Sequence, residues 1–292
     1  MEIANSLEED NMLISLILTL TVLGGFWICY ASGAFYGFIW LWALPVSFAG
    51  LFLLLLALAF AFLWIACQLA DSDKPQEKDS KFYRSLANLY VAALIPLVRV
   101  KITTRGLEKT PREGRFMLVC NHLHEADPAI LLHYFKKSQL AFISKQENKD
   151  MLIVGKLMPK LLCQLMNREN DREALKTILK CIQLLKDDKA SIAVFPEGYI
   201  HKDKKLHHFR SGVFKIATKT KVPIVVCTIR DTRFVLEKLK KLQPSSVDVR
   251  LLQVIEPEEY ENITTVDLAE RIYQIMAQDL GPDLVSQEEE KA

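Results

Sequence analysis

A histidine and an aspartate five residues apart are the side chains in this sequence whose spacing first suggests acid–base chemistry. His122 and Asp127 lie in the segment NHLHEADP, residues 121–128, which follows an apolar run typical of a buried strand. A turn between a strand and a helix exposes its side chains, and the two rigid elements fix their positions. A carboxylate that holds one imidazole nitrogen leaves the other free to accept a proton from a hydroxyl. His122 and Asp127 are therefore candidates for a general-base pair.

Each member of this pair also has a structural interpretation. Asp127 precedes Pro128 at the predicted start of a helix. A carboxylate there accepts hydrogen bonds from the first amides of the helix, and proline has no amide to leave unpaired. Taken alone, Asp127 would be a helix cap and His122 a loop histidine, so the catalytic interpretation needs further site residues.

Such residues follow the later apolar runs. Lys145 comes after residues 140–143, Arg168 ends the segment 155–168, and Glu197 with Gly198 follows residues 191–195. Arg168 offers a planar fork that matches a phosphate, whereas Lys145 offers a point charge. Gly198 allows a backbone to approach a ligand closely, although Pro-Glu-Gly is also an ordinary turn.

In this order the motifs resemble those of the glycerolipid acyltransferase family, of the 1-acyl-sn-glycerol-3-phosphate (lysophosphatidic acid) acyltransferase type. The family signature, Asn-His followed by four residues and Asp, matches Asn121, His122 and Asp127. A Lys-x-Glu element, a block ending in Arg, the block FPEG at residues 195–198 and VPIV at residues 222–225 follow in the family's order. The resemblance covers about residues 82–255.

The resemblance implies a membrane-bound O-acyltransferase. The acceptor would be the sn-2 hydroxyl of 1-acyl-glycerol-3-phosphate, the donor acyl-CoA or acyl carrier protein, and the product phosphatidic acid. It implies His122 and Asp127 as catalytic residues and a substrate-binding set consisting of Asn121, Lys145, Arg168, Glu197 and Gly198. The thioester is a co-substrate, so no metal or cofactor is expected. The expected partners are the lysophospholipid, the acyl donor and the bilayer, and no nucleic acid is expected.

Two positions depart from the family pattern. Tyr199 and Ile200 stand where the family commonly has Thr and Arg after Glu-Gly, so one expected phosphate contact is missing. Another cation could replace it, the candidates being Lys202, Lys204, Lys205 and Arg210. The same reaction on another lysophospholipid acceptor therefore remains an alternative. His124 occupies a position usually held by Ser and could compete with His122 as the base.

The first 70 residues predict a membrane anchor. Residues 11–70 contain no Asp, Glu, Lys, Arg or His, and residues 12–30 and 46–69 are each long enough to cross a bilayer. Aromatic residues, glycines and Pro45 lie between them, which is typical of a turn at the headgroup level. A hairpin that dips into one leaflet would bury the same surface and stays open. The acidic start lacks the cationic region of a secretory signal, so the first segment is expected to be retained.

Charge divides the chain and predicts its orientation. All 37 Lys and Arg residues lie after Ala70, so residues 71–292 carry a net +6, whereas residues 1–70 carry −4. Cations that follow the second apolar segment favour an integral protein of the cell membrane with its catalytic domain on the cytoplasmic side. The predicted units are an anchor at residues 1–70, a charged linker that does not pack at 71–81, an acyltransferase domain at 82–281 and a solvated acidic tail at 282–292.

Alternating patterns in the basic half predict an α/β domain. Apolar runs at 116–120, 140–143, 191–195, 223–229 and 249–255 are suitable as buried strands. Helical periodicity is clearest at 171–187, where Asn170 is a predicted cap and Leu175 and Leu179 belong to the predicted core stripe. Residues 86–100 predict a helix that lies either at the membrane surface or against the domain. We expect a mixed sheet flanked by helices, joined to a two-helix membrane anchor.

Two rival functions remain at this stage. A metal hydrolase is suggested by the close spacing of His122, His124, Glu125 and Asp127, although the remaining histidines add no matching ligand pattern. A non-catalytic lipid-binding protein could keep the same fold. The six cysteines show no Cys-x-x-Cys pair and are expected to be reduced core thiols.

Overall fold

The computed structural model describes residues 11–70 and 76–286 of the chain. Two long apolar helices come first, α1 (Met12–Ala31) and α2 (Trp40–Gln68), of 20 and 29 residues. At about 1.5 Å per residue they are roughly 30 and 44 Å long, enough to match a bilayer's hydrocarbon layer. Their outward-facing side chains are apolar and exposed, Leu23, Trp27 and Leu53 among them. These two helices indicate membrane association.

The two apolar helices pack closely against each other as an antiparallel pair. At Gly25 a side chain would collide with the ring of Phe48, so the glycine lets the two backbones approach. The turn between the helices is shorter than the sequence predicts, because α2 begins at Trp40 rather than near residue 46. Pro45, predicted to lie beside the turn, is inside α2.

Helix α3 (Lys81–Leu97) joins the apolar pair to the rest of the protein. The hydroxyls of Tyr83 and Tyr90 donate to the carbonyl oxygens of Ala66 and Ala59 in α2, at 3.1 and 2.6 Å. On its other side the buried Arg84 forms two 2.7 Å hydrogen bonds with Asp79 and donates to the Leu140 carbonyl. The helix therefore packs against the domain and the apolar helix pair. Packing against the domain is the second of the two alternatives that the sequence left open.

The predicted linker at 71–81 is wrong at its carboxyl end. Asp79 is buried against Arg84, the Ser80 amide donates to the Lys160 carbonyl, and the Ser80 side chain caps α3. Charged residues can pack when each finds a buried partner, which the composition of the segment did not reveal. The first half of the predicted linker, residues 71–75, lies outside the described residues.

A seven-stranded mixed sheet forms the centre of the domain, in the order β1-β7-β6-β2-β5-β3-β4. Neighbouring strands are parallel except β6 and β7, which are antiparallel. The strands are β1 (Val100–Arg105), β2 (Met117–Cys120), β3 (Leu140–Lys145), β4 (Gln164–Met166), β5 (Ser191–Val194), β6 (Ile224–Arg230) and β7 (Ser245–Ile255). The five predicted strands are present, and the edge strands β1 and β4 are additional.

Helices cover both faces of this sheet. They are α4 (Asp127–Tyr134), α5 (Val154–Lys160), α6 (Asp171–Lys186), α7 (Lys215–Thr220), α8 (Val235–Lys240) and α9 (Thr265–Leu280). Side chains alternate along β2: Met117 and Val119 face a core shared with α6 and α9, whereas Leu118 and Cys120 face a core shared with α4. This arrangement confirms the expected α/β fold with flanking helices.

The buried face of α6 and the start of the carboxyl-terminal tail differ from the sequence predictions. Asn170 caps α6 as predicted, but Leu175 and Leu179 are exposed and the core face of the helix is formed by Ile178, Cys181 and Leu185. At the other end, residues 282–286 pack against the domain: Val285 pairs with Leu206, and the Leu206 amide donates to Leu284. The predicted tail therefore begins later than residue 282, and residues 287–292 lie outside the described residues.

Candidate active site

Four parallel strands bring the predicted site residues to one edge of the sheet. β2, β5, β3 and β4 are neighbours, and Lys145 ends β3 while the other candidates follow the carboxyl ends of β2, β5 and β4. In open α/β sheets ligands bind at this edge, because the loops that leave the strands surround a crevice there. Strand order, which no local pattern reveals, thus places His122, Glu197, Lys145 and Arg168 along one edge.

The predicted pair His122 and Asp127 is formed. Nδ1 of His122 lies 3.0 Å from Oδ2 of Asp127, which is completely buried, whereas the His122 side chain keeps 16% exposure. The same Oδ2 accepts the amides of Leu123 and His124 at 2.7 and 2.8 Å. A carboxylate only accepts, so Nδ1 carries the proton and Nε2 of His122 is the basic nitrogen. Asp127 is the first residue of α4, and its carboxylate accepts amides of the preceding turn rather than those of the helix. The helix-cap interpretation of Asp127 is therefore wrong, and its carboxylate is the partner of the imidazole.

Two aromatic side chains lie near the His122 imidazole, those of Phe195 and His124. The ring of Phe195 stacks on His122 with centroids 4.1 Å apart and planes 17° apart, which fixes the ring plane. His124 does not replace His122 as the imidazole paired with Asp127, because Nδ1 of His124 accepts the Ala126 amide at 3.1 Å. The sequence did not single out Phe195 for this role.

The side chain of Asn121 is bonded to backbone, so it is not free for its predicted substrate-binding role. It is fully buried, and its side chain exchanges two hydrogen bonds with the backbone of Ile229, at 2.8 and 2.9 Å. The amide side chain is a near match for a peptide group, so it continues the pairing of β2 with β6 beyond the end of the strand. Asn121 therefore holds the start of the loop that carries His122 in place.

Glu197 is also buried and holds two loops together rather than facing a ligand. Its Oε1 accepts the amide of His122 at 2.8 Å, and its Oε2 accepts the amide of His207 at 3.0 Å. Burial raises the pKa of Glu197 to about 8, although the two amides oppose this shift. The predicted substrate contact is wrong for this side chain, which instead positions the backbone of His122.

Gly198 adopts a backbone conformation that favours glycine, with φ +90°. A Cβ at this position would lie 3.1 Å from Nε and 3.3 Å from Cδ of Arg210. The amide of Gly198 donates to the Phe195 carbonyl at 3.0 Å, so it is not a free donor for a substrate oxygen. The role of this glycine is to let the Arg210 side chain lie against the turn.

The two predicted phosphate ligands occupy neighbouring strand ends. Lys145, at the end of β3, pairs in register with Met166 of β4, two residues before Arg168. Burial lowers the pKa of Arg168, the charge of Arg210 lowers it further, and Glu147 opposes the shift. Arg168 is half-buried and Lys145 is exposed. Both cations therefore lie at the same edge of the sheet as His122.

The metal-site alternative finds no support in the geometry of the described ranges, 11–70 and 76–286. They contain no group of three or more His, Cys, Asp and Glu side chains placed to hold an ion. His122 and His124 each use Nδ1 for a local hydrogen bond within the loop.

Comparison with known proteins agrees with this geometry. Residues 101–230, which carry every candidate site residue, match the family model described as Acyltransferase. These residues are therefore similar to the domain that defines this family. The chain is similar to a probable 1-acyl-sn-glycerol-3-phosphate acyltransferase of Mycoplasma pneumoniae, with 30% identity over 60% of this chain and 64% of the relative. It is similar to a 1-acyl-sn-glycerol-3-phosphate acyltransferase of Chlamydomonas reinhardtii, with 30% identity over 72% and 63%. The chain thus spans slightly less than two thirds of either relative.

The fold is also known from a crystal structure. The 1-acyl-sn-glycerophosphate (LPA) acyltransferase of Thermotoga maritima superimposes with a TM-score of 0.58 over 91% of this chain and 95% of that chain, at 18% identity. This match confirms the mixed sheet with flanking helices predicted for the acyltransferase domain.

Proposed function

We propose that this protein transfers a fatty acyl group from a thioester to the sn-2 hydroxyl of 1-acyl-glycerol-3-phosphate, giving phosphatidic acid. The observation that carries the proposal is the imidazole of His122, oriented by a buried carboxylate and placed at the sheet edge that also holds Arg168 and Lys145. The names of the similar proteins, 1-acyl-sn-glycerol-3-phosphate acyltransferases, support the choice of acceptor.

In the proposed reaction, Nε2 of His122 removes the hydroxyl proton while the hydroxyl oxygen attacks the thioester carbonyl carbon. Asp127 stabilises the imidazolium that forms. The C–S bond then breaks, and the departing thiolate takes the proton from the imidazolium. General-base assistance contributes about 10²- to 10⁴-fold, and holding both substrates together contributes more, so the step needs no covalent enzyme intermediate.

Acceptor binding is assigned to the cations at the same edge. A phosphate held by Arg168 and Lys145 would orient the glycerol so that one hydroxyl faces His122. Asn121 and Glu197 contribute indirectly, because both are hydrogen-bonded to backbone. The donor is acyl-CoA or acyl carrier protein, with no further cofactor.

The apolar helices suit this chemistry, since the acceptor and the product both reside in a bilayer. We propose that α1 and α2 anchor the protein in the cell membrane with the acyltransferase domain on the cytoplasmic side. The Lys and Arg residues that follow α2, Lys78, Lys81 and Arg84 among them, support this orientation. Packing of α3 on both α2 and the domain would hold the site at a set distance from the lipid surface.

An assay with a panel of acceptors tests the proposal. Purified protein in detergent receives labelled acyl-CoA or acyl carrier protein together with lysophosphatidic acid, lysophosphatidylcholine, lysophosphatidylethanolamine or monoacylglycerol. The proposal predicts a labelled diacyl product mainly from lysophosphatidic acid. Tyr199 and Ile200 depart from the family pattern, which makes preference for another lysophospholipid the specific alternative. Binding of lysolipid without thioester consumption would instead support a non-catalytic role.

A further inference from the structure

The two residues that follow the turn after β5 do not provide the cation that the family pattern has there. Tyr199 and Ile200 replace the Thr and Arg of the family pattern, and the Tyr199 ring stacks on His201 with centroids 4.2 Å apart. His201 stacks in turn on His207 at 3.4 Å, with the planes nearly parallel. Tyr199 and Ile200 carry no charge, so neither supplies a cation at this turn.

The chain returns to the same turn at residues 207–210. The His207 amide donates to Glu197, and the Arg210 amide donates to the Pro196 carbonyl at 3.0 Å. The three atoms nearest to a Cβ built on Gly198 all belong to the Arg210 side chain, Nε at 3.1 Å, Cδ at 3.3 Å and Cζ at 3.8 Å. Backbone pairing and the missing side chain of Gly198 together place the Arg210 guanidinium against the turn.

Arg210 is an exposed residue, so its guanidinium is accessible to a ligand. Among residues 11–70 and 76–286, no hydrogen bond or ion pair engages the side chain of Arg210 or of Arg168. Arg84, Arg230 and Arg250, by contrast, are each bound to a carboxylate. Arg210 lies against the turn that follows β5, Lys145 ends the neighbouring strand β3, and Arg168 follows β4 beyond it. The charge of Arg210 lowers the pKa of Arg168, whereas the carboxylate of Glu147 opposes this shift. Unpaired like charges gathered at one edge repel each other, and a dianion between them would remove that repulsion.

We propose that Arg210 is the second guanidinium of the acceptor's phosphate site and replaces the basic residue that is missing at position 200. Arg168 approaches the phosphate from the end of β4, Lys145 from the end of β3, and Arg210 from the loop that lies against the turn after β5. Three cations match a phosphate monoester, which carries nearly two negative charges, better than a phosphodiester such as phosphocholine, which carries one. Arg210 is thus a specificity-determining residue. The inference rests on the proposed function for the identity of the acceptor.

The three lysines of the same loop are weaker candidates. Lys202, Lys204 and Lys205 lie in the part of the loop that carries the aromatic stack. The three atoms nearest to a Cβ built on Gly198 belong to Arg210 and not to a lysine. A lysine also lacks the fork that binds two phosphate oxygens at once.

Direct binding tests the proposal independently of catalysis. Lysophosphatidic acid and a monoacylglycerol of the same chain length are titrated into the full chain in detergent. The Kd for each lipid is measured for wild type, Arg210→Gln and Arg210→Lys. Arg112→Gln is the matched control, since Arg112 is an exposed arginine that precedes β2 at the opposite edge of the sheet. We expect Arg210→Gln to raise the Kd for lysophosphatidic acid about 10- to 100-fold, the loss of a hydrogen-bonded charge. The lysine variant should lose less, and monoacylglycerol binding should not change.

The outcomes separate this inference from the proposed function. If Arg210→Gln or the folded Arg210→Lys binds lysophosphatidic acid as tightly as Arg112→Gln does, Arg210 is not a phosphate ligand. An equal loss for both lipids would also overturn the proposal, since the headgroup would not be what Arg210 recognises. A selective loss in a protein that forms no phosphatidic acid would support Arg210 and refute the proposed reaction.

Discussion

Replacing Asp127 with asparagine separates the charge of the carboxylate from its geometry. Oδ2 of Asp127 accepts three hydrogen bonds, from His122, Leu123 and His124, whereas Oδ1 is buried without a partner in the described chain. The asparagine side chain introduced by Asp127→Asn can therefore place its oxygen at the Oδ2 position, held by the same two amides, and its NH₂ group at the Oδ1 position. The imidazole keeps its tautomer and orientation but loses the negative charge that stabilises its protonated form.

The magnitude follows from that exchange. A hydrogen bond to a charged group contributes about 1.5–3 kcal/mol and a neutral one about 0.5–1.5 kcal/mol, so Asp127→Asn loses about 1–2 kcal/mol of transition-state stabilisation. This corresponds to a fall in kcat of about 5- to 30-fold at unchanged KM for the acceptor. The buried NH₂ group, which has no acceptor, costs about 1–3 kcal/mol of unfolding free energy.

The assay follows thiol release from acyl-CoA at saturating lysophosphatidic acid, with chemical denaturation as the stability measurement. Asp127→Ala is the comparison variant, because it also removes the acceptor of the Leu123 and His124 amides and should be less stable than Asp127→Asn. Unchanged kcat in Asp127→Asn would refute the role of the carboxylate charge. A loss as large as that caused by removing the imidazole would refute the reasoning that the two amides hold the geometry.

Three further variants test the residues that position the site. Between pH 4.5 and about 8, folded Glu197 binds more protons than unfolded Glu197. As the pH rises through this range, wild type should therefore lose about 1.4 kcal/mol of unfolding free energy per pH unit relative to Glu197→Gln, as measured by denaturation. Asn121→Ala leaves the Ile229 amide and carbonyl unpaired and should lower the unfolding free energy by about 2–5 kcal/mol. Arg84→Met leaves buried Asp79 without its partner and should cost about 3–5 kcal/mol; pH-independent or unchanged stabilities would contradict these assignments.

Local sequence patterns predicted the inner strands of the sheet better than its two outermost strands, β1 and β4. The five predicted strands are apolar because helices cover both of their faces. Edge strand β1 instead alternates half-buried and exposed residues, and β4 is only three residues long. Neither produces a continuous apolar run. Leu175 and Leu179 follow the helical period of α6 but lie beyond its buried face, whose width depends on the elements packed against it.

The site was predicted in its chemistry but only partly in its roles. The spacing of His122 and Asp127 is local, so a single turn and helix start determine their contact. Asn121 and Glu197 acquire their roles from Ile229 and His207, residues that come together only through strand pairing and loop closure. Arg210 was one of four cations that could replace the missing contact, and choosing among them required the position of its side chain over Gly198.

The central claim, that the imidazole of His122 is the base, is tested most directly by a pair of asparagine substitutions. In His122→Asn the new side-chain NH₂ can still donate to Asp127, and in His124→Asn the new oxygen can still accept the Ala126 amide, so each variant keeps its local hydrogen bond. Purified variants are assayed for phosphatidic acid formed from acyl-CoA and lysophosphatidic acid. We predict a loss of about 10²- to 10⁴-fold in His122→Asn and near wild-type activity in His124→Asn. Full activity in His122→Asn would contradict the account.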